Sequence, residues 1–319
     1  MAVAVGLTGV ILWRSDPGSV WRASVGIDWR WVGLAALLVI ADRALMAYRW
    51  LVLLRPLPGA AHLSLGAVMR IFFISTFVGN FLPATVGGDA VRAVMLAREG
   101  VPVAGSVASV FMDRVLGVLS VLLVALVGLA FAQHLASHPA VIAAIGFTLA
   151  GCAATAAVVF SARAAALVEW VVDRAPWPAV TRVSRSLLEA VRSYGSSHRE
   201  LLNVLVGSIG VQLFRIVQAY CLGRAIGIAA PLTIYVAFIP IILLVMLLPV
   251  TINGLGTSQL AFVELFATAG VARAPAFTLS VLFVALGIVG NLPGGLLYLR
   301  GGLDRSERAP VVGGPPGDG

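Results

Sequence analysis

The sequence predicts an all-α fold, a polytopic helical bundle in a membrane, and two observations lead to that prediction. Hydrophobic residues make up 60% of the chain and charged residues only 11%, with a mean hydropathy of +1.00. This composition does not fit a soluble domain with buried helices. Uncharged apolar runs are also long enough to cross a bilayer core, which takes roughly 20 residues. All 22 basic residues are arginine, which suits phosphate binding but is explained more simply by an arginine-rich coding sequence.

Five apolar segments are predicted to span the membrane, and a sixth, at the N-terminus, is too short to do so. The predicted segments are residues 2–13 (the short one), 32–54, 105–131, 139–161, 201–223 and 275–299. The short segment lacks the basic n-region and cleavage site of a signal peptide, so a trimmed transmembrane helix fits better. Cys152 and Cys221 lie within apolar runs and are interpreted as small buried hydrophobic residues.

Two helix-breaking segments with similar sequences, residues 82–88 and 248–254, interrupt the other apolar stretches and begin 166 residues apart. In each region, 64–100 and 229–272, a long apolar leg leads into the break and the second leg is too short to span. We therefore expect two re-entrant helical hairpins, with two tilted full crossings per region as the alternative. Backbone that leaves the helix at membrane depth must be surrounded by protein or water, and such paired breaks point to a transport site.

The distribution of arginines predicts the orientation in the membrane. Residues 162–200 hold six arginines and three more follow residue 299, so both regions and both termini are expected in the cytoplasm. The first hairpin then enters from the cytoplasm and the second from the opposite face, which makes an inverted-topology repeat. Chance similarity between segments rich in Gly, Ala and Val is the alternative.

The expected organisation is one transmembrane domain, residues 1–300, followed by a Gly- and Pro-rich tail, 301–319, that is expected to be disordered. The halves of the domain, about residues 30–161 and 201–300, flank a cytoplasmic linker helix within 162–200. Apolar residues recur on one face of that helix and arginines on the other. The helix either lies in the membrane interface near anionic lipid or packs on the bundle as a plain connector.

Six ionisable residues fall inside the apolar segments: Asp42, Arg43, Asp113, Arg114, Arg215 and Glu264. Each costs about 2.5–3.5 kcal/mol at the centre of a membrane helix, so each must face a partner or water. Successive residues on a helix point about 100° apart, so Asp113 and Arg114 are expected to reach different helices. The group forms either a functional site or a ring of interhelical ion pairs that holds the bundle together.

The first break carries the residues best suited to bind an anion. Gly87 and Gly88 allow tight backbone geometry, Asp89 is expected as the N-cap of the following helix, and Arg92 shares its face. A helix N-terminus beside an arginine suits a lipid phosphate, unless Asp89 and Arg92 merely cap the helix and pair with each other. The predicted head-group residues are Asn80, Thr85, Gly87, Gly88, Asp89, Arg92, Arg114 and Arg215.

The second break is neutral and is expected to serve gating or lipid passage. Its predicted residues are Pro249, Thr251, Asn253, Gly254, Gly256, Gln259 and Glu264. The sequence contains no phosphate-binding loop or metalloprotease motif, and the four histidines fall in loops. We therefore expect no catalytic residue, no metal and no cofactor.

Three sequence elements resemble the lysylphosphatidylglycerol synthetase transmembrane-region family, which is also described as flippase-like. They are the Gly87-Gly88-Asp89-x-x-Arg92 element, Asp113-Arg114 with Gly117, and the segment from Leu248-Pro249 to Gly256. The resemblance implies a prokaryotic inner-membrane bundle that moves a lipid between leaflets. Gln259 stands where the family usually has Glu. The best-known members continue into a cytosolic aminoacyl-transferase domain, and this sequence extends only 20 residues past the last predicted span.

The favoured function is therefore a lipid translocator for an anionic phospholipid or an isoprenoid lipid, and not an enzyme. The alternative is a membrane scaffold or accessory subunit of a lipid-modifying or lipid-linked glycosyl-transfer pathway. The expected partner is a membrane lipid, with a soluble lipid-modifying enzyme as a further candidate, and the oligomeric state is open. Nucleic acid is not expected, because no loop combines a dense basic run with aromatic residues.

Overall fold

The computed structural model describes residues 26–81, 86–131, 139–172, 174, 178–247 and 256–306, and over these residues the chain is helical without a β-strand. The helices are α1 (Trp29–Leu54), α2 (Leu65–Gly79), α3 (Val86–Arg98), α4 (Val103–Leu129), α5 (Pro139–Phe160), α6 (Ala162–Val172), α7 (Pro178–Arg192), α8 (His198–Ala225), α9 (Leu232–Leu247), α10 (Thr257–Thr268), α11 (Arg273–Val289) and α12 (Leu292–Ser306), with a 3-10 turn at Ser193–Ser196. The all-α prediction is confirmed.

Five helical segments are long and apolar enough to cross a membrane, and they match the five full spans predicted. They are Trp29–Leu54, Val103–Leu129, Val141–Phe160, His198–Ala225 and Arg273–Leu299. The last span is broken between α11 and α12, and α12 continues to Ser306. The predicted tail is therefore helical over its first six residues, 301–306. The predicted short segment 2–13 lies outside the described residues.

The helices α2 and α3 pack against each other as a hairpin. At its closed end Gly79 and Gly88 touch, so that a Cβ atom added to Gly88 would lie 2.9 Å from the carbonyl oxygen of Ser75. At its open end Arg70 Nη2 lies 3.2 Å from Glu99 Oε1. The start of α2 and the end of α3 therefore lie at the same end of the bundle.

Two apolar cores occupy opposite ends of the bundle. The first core lies where α1 and α3 end and where α4 and α8 begin. It includes Trp50, Leu53, Leu63, Leu96, Val101, Tyr194 and Leu201. The second core lies where α1 and α9 begin and where α4, α8 and α10 end. It includes Ala35, Ala125, Leu222, Ile228, Tyr235 and Phe266. The start of α2 and the end of α3 therefore lie at the first core, and the start of α9 and the end of α10 lie at the second.

The order of elements from α1 to α4 recurs from α8 to α11. In each case a long helix is followed by two short ones and a further membrane-length segment, and α1 packs along α8. That segment is a single helix in the first set, Val103–Leu129, and is broken in the second, Arg273–Leu299. The short helices have 15 and 13 residues in the first set and 16 and 12 in the second. Glycines with positive φ occupy matching turns, Gly59 and Gly227 before the first short helix, Gly100 and Gly270 after the second. The similarity noted in the sequence therefore extends to helix lengths and turns.

The linker packs on the bundle through its C-terminal part. The Tyr194 hydroxyl is buried and donates a hydrogen bond of 2.9 Å to the carbonyl oxygen of Leu53. Burial raises the pKa of Tyr194 well above its ordinary value, so the phenol remains a donor. Val191 is buried against the first core, whereas Val183 and Arg182 are exposed. The connector interpretation therefore describes the end of α7, whereas Arg182 and Val183 nearer its start remain accessible.

A stability test follows from the crossing of α4 and α9. A Cβ atom on Gly128 would lie 2.7 Å from the Val236 carbonyl oxygen and 3.1 Å from the Ala237 Cα atom. Both obstacles are backbone, so we expect Gly128→Ala to cost about 1–3 kcal/mol and to lower the apparent Tm in detergent. The control is Gly146→Ala in α5, where nothing lies within 4 Å of the added atom. Equal Tm values for the two variants would contradict this packing.

Candidate functional site

A cavity of about 450 Å³ lies in the interior of the bundle, between the end of α2, the start of α3 and the middle of α1, α4 and α8. One wall is apolar and comes from α9 and α11, with Leu243, Met246 and Phe283. The other walls are polar. Their lining side chains are Asp42, Arg43, Ser75, Thr76, Asn80, Asp89, Arg92, Arg114, Arg215, Gln218 and Asn291.

Asp113 is shared by two arginines on one side of the cavity. Its Oδ1 accepts a hydrogen bond of 2.6 Å from Arg49 Nη2, and its Oδ2 one of 3.1 Å from Arg92 Nη1. Arg49 Nη1 also donates to Ser208 Oγ on α8, at 2.7 Å. All three charged residues are at most 4% exposed. This group, Arg49, Asp113 and Arg92, is the first charge triad, and it joins α1, α3, α4 and α8.

Two aromatic rings hold the Arg92 guanidinium in place. Its Cζ atom lies 5.1 Å from the centroid of the Trp50 ring and 4.7 Å from the centroid of the Phe72 ring. At these distances the ring faces attract a cation, most strongly where water is excluded. Arg92 therefore contributes a fixed positive charge to the cavity wall.

Asp42 is shared by two arginines on the other side. Its Oδ2 accepts a hydrogen bond of 2.8 Å from Arg43 Nη1, and its Oδ1 lies 3.7 Å from Arg215 Nε. The second distance is an ion pair that is too long for a hydrogen bond. Asp42, Arg43 and Arg215 form the second charge triad. Adjacent residues do pair here, because the long arginine side chain bends back along α1.

Arg43 also anchors the break between α11 and α12. Its Nε donates to Asn291 Oδ1 at 3.0 Å, and its Nη2 donates to the Gly287 carbonyl oxygen at 3.2 Å. Asn291 Nδ2 in turn donates to Asn80 Oδ1 at 3.2 Å. Hydrogen bonds through the side-chain amides of Asn291 and Asn80 thus link the middle of α1 to the end of α2.

The third ion pair joins α3 to α4 and differs from the sequence expectation. Arg114 Nε and Nη2 donate to the two oxygens of Asp89, at 2.7 and 3.0 Å. Asp89 lies in the first turn of α3 rather than at its N-cap, and it pairs with Arg114 rather than with Arg92. Arg114 is half exposed, with 50% of its side chain accessible. Asp113 and Arg114, adjacent on α4, therefore reach different partners.

The predicted head-group residues divide into three sets. Those that line the cavity are Asn80, Gly88, Asp89, Arg92, Arg114 and Arg215. Gly87 lies beside them without lining the cavity, and Thr85 is outside the described residues. The structure thus brings together residues from three segments that are far apart in the sequence.

The second predicted set lies away from the cavity wherever it is described. Gln259 is buried and caps α10, because its Oε1 accepts a hydrogen bond of 2.6 Å from the Gly256 backbone N–H. Glu264 is exposed and pairs with Arg273, with Oε1 3.2 Å from Nη2. The remaining members, which lie outside the described residues, are Pro249, Thr251, Asn253 and Gly254.

Sequence reasoning missed Gln218 and Asn291, which both line the cavity. Gln218 follows Arg215 by three residues on α8 and so shares its face, a spacing that would have revealed it. Asn291 lies in an apolar run and carries no local signal. Among the residues that the structure describes, no group of three His, Cys, Asp or Glu side chains is arranged to hold a metal ion.

Five membrane-length helical segments, four of which line an arginine-rich cavity, define a multi-pass membrane protein. The chain belongs to the lysylphosphatidylglycerol synthase transmembrane region family, whose model matches residues 1–294. Comparisons with curated proteins and with solved structures gave no match. Family membership associates the chain with a lipid-related function in the membrane.

The first charge triad can be tested by neutralising its shared carboxylate. Asp113→Asn leaves Arg49 and Arg92 side by side and buried, so we expect a loss of about 3–5 kcal/mol. The control is Glu99→Gln, which removes the exposed pair with Arg70 and should cost about 0–1 kcal/mol. Apparent Tm values in detergent measure both. Adding Arg92→Gln to Asp113→Asn should recover part of the loss, whereas a further drop would show that the charge balance is unimportant.

Proposed function

We propose that this protein is a lipid translocator of the prokaryotic inner membrane. The central cavity holds the anionic head group of a phospholipid or isoprenoid lipid while the acyl chains stay in the bilayer. The observation that carries the proposal is the group of four arginines, Arg43, Arg92, Arg114 and Arg215, around one interior cavity in a family with a lipid-related function.

The physical argument is the cost of burying charge. Each arginine at membrane depth costs about 2.5–3.5 kcal/mol unless it is paired, and such residues mark substrate pathways by default. The planar guanidinium donates two parallel hydrogen bonds to a phosphate, which makes arginine the preferred residue for phosphate recognition. The apolar wall of Leu243, Met246 and Phe283 suits the first carbons of a lipid chain. The cavity therefore complements an amphiphile rather than a soluble ion.

The arrangement of the helical pairs supports a mechanism of alternating access. The α2–α3 hairpin opens at one end of the bundle and α9 with α10 at the other, and Asn80 and Met246, near their inner ends, both line the cavity. In our proposal both pairs are re-entrant hairpins related by an inverted repeat. Transporters built from such repeats expose a central site to one face and then the other by rocking one repeat against the other.

The orientation follows from the exposed arginines. Arg182 and Arg192 are exposed on the linker, at the same end of the bundle as the start of α8 and the open end of the α2–α3 hairpin. Cytoplasmic segments of membrane proteins carry an excess of basic residues, so we propose that this end faces the cytoplasm. The carboxylates of the cavity are each ion-paired with arginine, so we assign them to charge balance and no chemical step to the protein.

Translocation is tested with the purified protein in liposomes that carry fluorescent phosphatidylglycerol or phosphatidic acid. Bleaching of the outer leaflet should show transport above that of empty liposomes. Arg215→Gln should slow it by about tenfold or more, since one charge-assisted hydrogen bond is worth about 1.5–3 kcal/mol. The matched control is Arg224→Gln, on the same helix but exposed and outside the cavity. Transport no faster than in empty liposomes for either lipid would refute the proposal.

The hairpins are tested by labelling single cysteines with a membrane-impermeant maleimide, in a background with Cys152 and Cys221 replaced by alanine. Pro58→Cys and Arg98→Cys flank α2 and α3, and both positions are exposed. Thr233→Cys and Ala269→Cys flank α9 and α10 in the same way. We expect the first two to react only from the cytoplasmic face and the last two only from the opposite face. Reaction of Phe81→Cys, at the exposed tip of the α2–α3 hairpin, from the opposite face would mean that α2 and α3 cross completely.

A further inference from the structure

The cavity wall carries more positive than negative charge. Four arginines line it, Arg43, Arg92, Arg114 and Arg215, against two carboxylates, Asp42 and Asp89. Asp113 behind the wall brings one negative charge, but Arg49 beside it cancels that charge. The excess over the whole cluster is therefore two positive charges.

The excess is divided between the two charge triads. Asp113 serves both Arg49 and Arg92, and Asp42 serves both Arg43 and Arg215, so each triad keeps one positive charge. Asp89 and Arg114 pair one to one through both oxygens and contribute none. Two centres of positive charge thus contribute to the walls of one cavity.

Buried donors in the wall lack an acceptor within the described part of the chain. Arg92 Nε and Gln218 Nε2 have no hydrogen-bond partner, although their residues are only 4% and 5% exposed. A buried polar atom without a partner is costly, so such atoms indicate where water or a ligand binds. Asp42 Oδ1 also lacks a hydrogen bond, but Arg215 Nε lies 3.7 Å away and balances its charge.

The two segments that adjoin the cavity in the sequence do not supply the missing negative charge. Residues 82–85 and 248–255 contain no ionisable side chain. At membrane depth counterions from solution are scarce, so we assign the balancing charge to the ligand. A ligand with two negative charges at one end matches both triads at once, whereas a ligand with one charge leaves a triad uncompensated.

We propose that the cavity selects lipids whose head group ends in a phosphate monoester, which carries close to two negative charges, over lipids with a phosphodiester, which carries one. This selectivity rests on the proposed function, since it names the cargo of the same cavity. The phosphate monoester titrates with a second pKa of about 6. Its charge therefore rises toward two at neutral and higher pH, while the phosphodiester charge stays constant.

The experiment measures equilibrium binding by calorimetry to the detergent-purified protein. The ligands are dioctanoyl phosphatidic acid, dioctanoyl phosphatidylglycerol and inorganic phosphate, each at pH 5 and at pH 8. We expect phosphatidic acid to bind about tenfold more tightly at pH 8 than at pH 5, because roughly a tenth of the monoester is doubly charged at pH 5. At pH 8 phosphatidylglycerol should bind more weakly than phosphatidic acid. Its own affinity should be the same at pH 5 and pH 8, which also controls for effects of pH on the protein.

A variant separates the charge argument from general electrostatics. Arg215→Gln removes one excess charge, so phosphatidic acid and phosphatidylglycerol should bind within about twofold of each other and the pH effect should shrink. Arg224→Gln, outside the cavity, lowers the net charge of the protein equally and should leave the preference intact. The pH profile of the unaltered protein tests the proposal even if a variant fails to fold.

The outcomes distinguish this proposal from the function itself. Equal affinity for the two lipids at pH 8, with transport of both in liposomes, overturns the selectivity and leaves the translocator. Selective binding of phosphatidic acid without transport overturns the proposed translocator function but supports a binding site selective for phosphate monoesters. Inorganic phosphate that binds as tightly as phosphatidic acid shows a site for soluble phosphate and overturns the lipid assignment.

Discussion

The shared carboxylate of Asp113 is the interaction on which the rest of the interior depends. It receives Arg49 from α1 and Arg92 from α3, and Arg49 reaches Ser208 on α8, so a single residue of α4 couples four helices. Because the group is buried, breaking one of these ion pairs leaves an unpaired charge rather than a side chain solvated by water. The rings of Trp50 and Phe72 then both contact the Arg92 guanidinium. These contacts fix the position of the first charge triad and so determine the shape of the cavity on that side.

Elsewhere in the described bundle, helices approach each other closely at glycines. Gly79 against Gly88 closes the α2–α3 hairpin, and Gly128 against the backbone of Val236 brings α4 to α9. Small residues at such contacts are typical of membrane helices, where packing rather than water exclusion drives association. The apolar cores at the two ends and the polar cavity between them thus have different origins. Close backbone contacts determine how the helices pack, and ion pairs determine which charged groups line the cavity between them.

Much of the helical arrangement could be predicted from the sequence, because a membrane span needs only length and apolarity. The five spans follow from that rule. Of the predicted breaks, residues 82–85 and 248–254 lie outside the described residues, and residues 86–88 belong to α3. The choice of ion-pair partners, in contrast, could not be predicted from the sequence. Asp89 and Arg92 share a face at helical spacing, yet Arg92 turns inward to the aromatic rings and Arg114 takes Asp89. Glu264 lies in an apolar stretch, yet it is exposed beside Arg273. Both outcomes depend on neighbours distant in sequence.

The absence of lysine from the chain has a consequence for the cavity once its walls are known. Lysine readily gives up its proton when it is buried, whereas arginine remains protonated throughout the range of pH at which proteins function. Among its described lining residues the cavity therefore has no basic group that could lose its proton to release a bound anion. Its arginines act as permanent cations, so release must come from a change in shape or from the anion's own protonation.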